Sequence, residues 1–184
     1  MGKRLLPRRD LTIYTNSVPL ASRGVTRNGA RLISIGGEIR EVSRALVGAL
    51  SLNWLMHLRF DYVILGASGV SAKEAVTTTE LSEASIKQEL LQRAPVRILA
   101  VDSTKWDKPR SISFARWEDF KYWVTDELIA RDAIEFVANR GVSVEVTGSS
   151  DGSKAPVELT AGDGDAPEVE KSHRPETAVF RGRK

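Results

Sequence analysis

Five clusters of small polar, charged and glycine residues interrupt the apolar runs of this chain: Thr15-Asn16-Ser17, Gly36-Gly37, Gly66-Ala67-Ser68-Gly69, Asp102-Ser103-Thr104-Lys105 and Thr125-Asp126. Their shared chemistry is that of holding a hydroxylated anion. Glycines let a ligand approach the main chain closely, and backbone N–H groups near helix N-termini attract phosphate. Lys105 and Lys87 add positive charge, while asparagine and aspartate suit hydroxyls. Together they point to a polyhydroxylated, phosphorylated small molecule. Each cluster also has a plainer reading. Thr15-Asn16-Ser17 suits a helix cap, Gly36-Gly37 a turn, and Asp102-Ser103-Thr104-Lys105 a strand exit. Glu83 and Lys87 lie four apart on one expected helix, the spacing of a surface ion pair.

Composition removes several alternatives. The chain has 184 residues, enough for one α/β domain with tails. It has no cysteine and two histidines, His57 and His173, so a thiolate nucleophile, a disulfide framework, a Cys-based metal site and a His-rich metal centre are all excluded. His57 falls in an apolar stretch and reads as packed or surface-exposed. Trp54, Trp106, Trp117 and Trp123 read as core or interface residues. No apolar run approaches the roughly 18 residues needed to span a bilayer, and the basic start lacks a secretory apolar segment. The expectation is a soluble cytoplasmic protein with no cofactor and no metal. A formal net charge of +3 is mild and does not make a nucleic-acid footprint, which needs clustered charge.

The polar clusters need elements to place them. Asp61-Tyr62-Val63-Ile64-Leu65, a uniformly apolar run stopping at Gly66, suits a strand buried on both faces of a parallel sheet. Leu11–Ser17, Arg31–Ile35, Val96–Val101, Lys121–Asp126 and Val142–Val146 complete the expected strands. Expected helices are Val18–Arg23 capped by Asn16 or Ser17, Ser43–Leu58, a helix entered through Thr77-Thr78-Thr79-Glu80 and stopping before Pro95, and Arg131–Asn139 ending at Gly141. Alternating strands and helices predict an α/β fold: a mostly parallel sheet with helices on both faces. In such a sheet the polar clusters share the carboxyl edge, where ligands bind. Residues 1–10 form a basic leader, expected to be loosely ordered. Residues 148–184, rich in Gly, Ser, Asp and Pro with few large apolar residues, are expected to be a disordered tail.

In this order, Thr15-Asn16-Ser17, Gly36-Gly37-Glu38-Ile39-Arg40, Leu46-Val47-Gly48, Phe60-Asp61 through Val70, Glu83-Ala84-Ser85-Ile86-Lys87, Asp102-Ser103-Thr104-Lys105-Trp106 and Val124-Thr125-Asp126 resemble the C-terminal sensor domain of DeoR-family transcriptional repressors. The resemblance runs over residues 11–147. It implies a fold akin to ribose-5-phosphate isomerase that binds a phosphorylated sugar or related metabolite, usually within a homo-oligomer. Ligand-binding residues would be Thr15, Asn16, Gly36, Gly37, Gly66, Ser68, Gly69, Glu83, Lys87, Asp102, Lys105 and Asp126. The family places a winged helix-turn-helix, then a strand with a Gly-Thr-Thr phosphate loop, ahead of the Thr-Asn strand. Only ten residues precede that strand here, so the chain is expected to lack both and to contact DNA only through a reader it does not carry. Isomerases of this fold carry acidic residues in the loop after the strand equivalent to Tyr62–Leu65. That loop here is Gly66-Ala67-Ser68-Gly69, so no catalytic residue is expected. The rivals are a sugar-phosphate isomerase using Glu83 as base and Lys105 as electrostatic partner, and a truncated subunit that modulates full-length repressors by hetero-oligomerisation.

Overall fold

The computed structural model describes residues 5–23, 29–148 and 178–181. Its main element is a seven-stranded, wholly parallel sheet. In chain order the strands are β1 (Thr12–Thr15), β2 (Arg31–Ser34), β5 (Tyr62–Leu65), β8 (Val96–Ala100), β10 (Tyr122–Asp126), β11 (Ser143–Thr147) and β12 (Ala178–Arg181). Their spatial order is β11-β10-β8-β5-β12-β1-β2. Two antiparallel pieces attach to it: the hairpin of β3 (Glu38–Arg40) with β4 (Ala45–Val47), and a three-stranded sheet of β6 (Gly69–Ser71), β7 (Ala75–Thr78) and β9 (Ile112–Ala115).

The alternation in β5 decides the layering. Val63 and Leu65 join Leu99, Val101 and Trp123 on one face. There they meet Leu55 of helix α2 (Ala49–Leu55), Ile86 and Leu90 of α3 (Leu81–Leu91), and Ala133 and Val137 of α4 (Arg131–Ala138). Ile64, Ile13 and Ile98 point to the other face, where Leu5, Leu6, Leu11 and Ala30 cover them. Among the described residues, α2, α3 and α4 therefore all pack on one face, whereas helices were expected on both. Leu5 and Leu6 belong to the leader expected to be loose. Instead they close the second core, and the Leu6 carbonyl accepts from the Ala30 N–H at 2.8 Å.

Trp117 and Trp123 are fully buried with ring centroids 5.2 Å apart, and Trp106 lies against both. Their indole N–H groups are satisfied by carbonyls, Trp117 by Ser71 at 2.9 Å and Trp123 by Val101 at 3.1 Å. A buried indole needs such a partner.

Other departures have local causes. The helix expected over Ser43–Leu58 is split: Leu46 and Val47 lie in β4, and Gly48, at φ +97°, turns the chain into α2. Thr77 and Thr78, in the expected helix entry, instead end β7, where the Thr77 hydroxyl donates to the Gly69 carbonyl at 2.8 Å, and Glu80 stands at the N-cap. In the stretch 148–184, expected to lack order, Ala178–Arg181 instead forms the strand between β1 and β5. The rest of that stretch beyond Gly148 lies outside the described residues. Elsewhere the expected elements occur with ends shifted by a residue or two. Helix α1 (Val18–Ala21) is capped by Ser17, whose hydroxyl accepts from the Leu20 N–H at 3.4 Å.

Candidate functional site

The parallel sheet brings the strand tips to one edge. Adjacent strands lie about 4.8 Å apart, so strand order sets what a small ligand can reach. Gly66, after β5, is one spacing from the end of β8 (Asp102) and two from the end of β1 (Asn16). Asn16 and Asp126, four spacings apart, stand about 19 Å from each other. No single phosphosugar spans that distance, so the twelve predicted residues do not form one contact set.

At the β1 end, the Thr15 hydroxyl accepts from the Ser17 N–H at 3.0 Å. Asn16 is 5% exposed. Its Nδ2 donates to the Leu46 carbonyl at 3.4 Å, and its Oδ1 has no partner among the described residues. The Asn16 carbonyl accepts from the Leu46 N–H at 2.7 Å, fastening the β3–β4 hairpin beside this tip. Gly37, at φ +117°, lies so close to this fastening that a Cβ there would stand 2.5 Å from the Val47 carbonyl oxygen. Gly36 accepts at its carbonyl from the Ser51 hydroxyl of α2 at 2.7 Å. The space beside Gly37 is filled by Ser51 of α2 and Val47 of β4, so Gly37 serves packing, whereas a Cβ at Gly36 would meet nothing within 4 Å.

A second group is buried beneath α3. Glu83 and Lys87, 3% and 5% exposed, occupy its inward face beside Ala84, Leu90 and Leu91. Arg40 of β3 donates to Glu83 Oε1 at 2.9 Å and lies 3.8 Å from Glu80. The Thr78 hydroxyl donates to Glu83 Oε2 at 3.2 Å, and Lys87 Nζ reaches the same oxygen at 3.5 Å. The Ser68 hydroxyl continues the network to Thr78 at 3.5 Å. Lys87 also stands 5.0 Å from the centre of the Phe114 ring. Burial pushes the Glu83 carboxyl up, but the Ser43 hydroxyl, Lys87 and Arg40 outweigh it and hold the carboxyl below its ordinary range. Burial holds the Lys87 ammonium below its ordinary value, and Arg40 adds to that while Glu83 opposes it. The carboxylate is shared by two cations, of which Arg40 also faces Glu80.

The third group lies where β8 and β10 end. Asp126 accepts from the Ser103 N–H at 2.8 Å and the Leu128 N–H at 3.0 Å, and chiefly the Ser103 contact lowers its carboxyl. Asp102 caps the following 3₁₀ turn, Ser103–Lys105, by accepting from the Thr104 N–H at 3.0 Å and from the Thr104 hydroxyl. Lys105 is half-buried and, among the described residues, has no ion-pair partner. Gly69 is committed elsewhere: a Cβ there would collide with the Lys108 backbone.

Reasoning from sequence missed Arg40, Thr78 and Phe114. Arg40 ends a Gly-Gly-Glu-Ile-Arg run, and nothing in that run says that β3 crosses to α3. A surface depression of about 500 Å³ lies between Leu52, the Ser85–Gln92 side of α3, Phe114 and Asp119. It contains none of the twelve residues. Among the described residues no three His, Asp or Glu side chains cluster as metal ligands, and no helix is long and apolar enough to cross a membrane.

The DeoR C-terminal sensor domain profile matches residues 1–127. The chain is 28% identical over 109 residues to the HTH-type transcriptional regulator GlpR of Haloferax volcanii, covering 59% of this chain and 43% of that protein. It is 24% identical over 143 residues to the HTH-type transcriptional repressor GlcR of Bacillus subtilis (78% and 55%). To the lactose phosphotransferase system repressor of Staphylococcus aureus it is 33% identical over 118 residues (63% and 47%). The chain thus spans about half the length of the curated relatives it matches. With more than half of its residues matched by the profile, this chain belongs to the DeoR C-terminal sensor domain family.

Proposed function

We propose that the chain is the effector-sensing part of a sugar-responsive transcriptional regulator, binding a phosphorylated sugar at the centre of the carboxyl edge, on a fold akin to ribose-5-phosphate isomerase. The observation that carries the reading is Asn16. Its carboxamide is buried at a strand tip with its oxygen unpartnered among the described residues, a state costing about 1–3 kcal/mol of lost solvation. A sugar hydroxyl donating to Oδ1 offsets that cost. Gly66 and Ser68 lie at the middle of the same edge, and Lys105 offers an uncommitted cation for the phosphate. The names of relatives agree in kind: one is a glycerol-3-phosphate regulon repressor of Escherichia coli, another a lactose phosphotransferase system repressor.

An enzyme fits less well. A general base needs a pKa near working pH and room to take a proton. Glu83 is held low, buried, and already accepts from Arg40, Thr78 and Lys87. We read the protein as a cytoplasmic non-enzymatic regulator and assign these residues no DNA contact. Self-association is proposed through α2, where Leu50 and Trp54, one turn apart, are 67% and 62% exposed. Trp54→Ser is expected to lower the oligomeric mass seen in sedimentation.

The test is calorimetry of the chain against a panel of phosphorylated sugars and their unphosphorylated parents. At least one phosphosugar is expected to bind, its parent at least tenfold more weakly, and Asn16→Ala to lose the discrimination between sugars. If every phosphosugar leaves the chain unchanged, ligand sensing is wrong for it.

A further inference from the structure

The β3–β4 hairpin leaves one of its edges open. In its register Glu38 faces Val47, Ile39 faces Leu46 and Arg40 faces Ala45. Leu46 turns its main chain away from β3: its N–H donates to the Asn16 carbonyl at 2.7 Å, and its carbonyl accepts from Asn16 Nδ2 at 3.4 Å. In an antiparallel pair the main-chain bonds alternate from one residue to the next. The ladder bonds of β3 therefore fall at Glu38 and Arg40, and the N–H and C=O of Ile39 point outward. Among the described residues neither has a partner. Ile39 is also 60% exposed.

This edge is held stiff. Asn16 fastens the hairpin from one side, and Arg40 ties it to α3 through Glu83 at 2.9 Å. A rigid, open edge with an exposed apolar residue is a template for another strand, and the order of residues in β3 says which one. Glu38-Ile39-Arg40 reads acid, apolar, base, so two copies paired antiparallel about a two-fold axis at Ile39 complement each other. Ile39 then exchanges both main-chain bonds with Ile39 of the second copy, and the two side chains meet on one face of the joined sheet. Glu38 falls opposite Arg40 of the second copy, with Cβ atoms about 5 Å apart. Glu38 is exposed and has no ion-pair partner among the described residues, and Arg40 keeps 21% of its side chain exposed. The same operation fails at β11, an outermost strand of the parallel sheet, whose middle residue is Glu145. A two-fold axis there sets carboxylate against carboxylate, which opposes pairing.

We propose that β3 is a self-association edge, through which two copies of the chain join their hairpins into one four-stranded antiparallel sheet centred on Ile39. The inference deepens the self-association reading above and rests on it. It adds the strand, the register and the charge pairing that the joint uses. Helix α2 begins beside the entry to β3, where the Ser51 hydroxyl donates to the Gly36 carbonyl, so the two surfaces adjoin.

Sedimentation equilibrium and residue-resolved amide exchange on the full chain test the edge. The mass is expected to rise with protein concentration, and exchange of the Ile39 amide to slow by about tenfold as the second copy binds. Ile39→Lys spares the hairpin, because the Ile39 N–H lies outside its ladder, and sets like charges together at the axis. It is expected to leave a folded monomer. Glu38→Lys puts a cation opposite Arg40 of the second copy and is expected to weaken association by about tenfold. A chain that stays monomeric at every concentration overturns the edge together with the self-association reading. An oligomer whose Ile39 amide still exchanges fast, or one that forms equally well with Ile39→Lys and Glu38→Lys, overturns the edge alone and leaves association to α2.

Discussion

Glu83 and Asp126 are both held below the ordinary carboxylate range, as is Asp10 beside Arg8, and the first two are held by opposite means. Glu83 is buried among two cations and two hydroxyl side chains, while Asp126, half-exposed, is gripped mainly by backbone N–H groups. Water screens little of the first and much of the second. The Glu83 group therefore acts as a rigid cross-brace, tying α3 to β7 and to the β3–β4 hairpin through one side chain. The loop around Asp126 is local turn chemistry, which positions Ser103 and leaves Lys105 uncommitted. A sensing site needs both kinds: a frame that does not yield, and charge that is still available.

The largest effect should come from breaking the frame. Glu83→Leu leaves Arg40 and Lys87 without their shared carboxylate, and removing one member of a buried charged group costs about 3–5 kcal/mol. Lys87→Met removes one of the two cations, leaves Arg40 on the carboxylate and keeps the stem packed near Phe114, so a change within about 1 kcal/mol is expected. Denaturant titration of both variants and their double would show strong non-additivity. Equal losses from Glu83→Leu and Lys87→Met would mean that the two cations do not share the carboxylate as described.

Acid should separate the two regions as well. A carboxyl whose folded pKa is depressed contributes stability that is complete above its ordinary value, 4.5 for Glu83, and is lost as pH falls through the folded value. Lys87 has the reverse arrangement. Its lowered ammonium pKa is a cost at neutral pH, relieved only as pH rises from the folded value toward the ordinary 10.5. Stability should thus decline below about pH 4.5, and Lys87→Met should flatten the alkaline side while leaving the acid limb in place. Thermal melts from pH 3 to 10 would show it; an acid limb that persists unchanged in Glu83→Gln would assign it to other carboxyls.

What the sequence made legible follows the same division. Runs such as Tyr62–Leu65 and, but for Arg97, Val96–Val101 name their strands because a double-sided burial leaves few polar positions, and the polar tips follow from where those runs stop. The buried cross-brace was less visible. Glu83 and Lys87 at i and i+4 look like a surface pair, and α3 shows little apolar asymmetry because charge occupies its inward face. Only tertiary placement of Arg40, forty-three residues from Glu83 in the chain, reverses that reading. The split of Ser43–Leu58 at Gly48 was hidden because Leu46, Val47, Leu50 and Trp54 fit a helical period by accident, two facing the core from a strand and two facing solvent. Strand β12 was illegible for another reason: Ala178-Val179-Phe180 is a short apolar island in polar surroundings, and its place in the sheet depends on a gap that no local pattern records.

The loop region should respond weakly in stability and strongly in binding. Asp126→Asn keeps the shape but loses the charge that accepts from Ser103 and Leu128, costing about 1 kcal/mol. Lys105→Gln should be smaller still, within about 0.5 kcal/mol, since the residue has no ion-pair partner among the described residues and its backbone turn is fixed by Asp102. Its effect should appear only with a phosphorylated ligand present. A single charge-assisted contact removed from phosphate weakens binding by roughly tenfold, and the loss should shrink as salt rises, because a half-exposed ammonium is screened over about 10 Å at 0.1 M. Calorimetry of Lys105→Gln at two salt concentrations separates the outcomes. A salt-sensitive loss of affinity at unchanged melting temperature marks Lys105 as the available charge. A lowered melting temperature with unchanged affinity would make it one more brace and would move the phosphate subsite elsewhere along the edge.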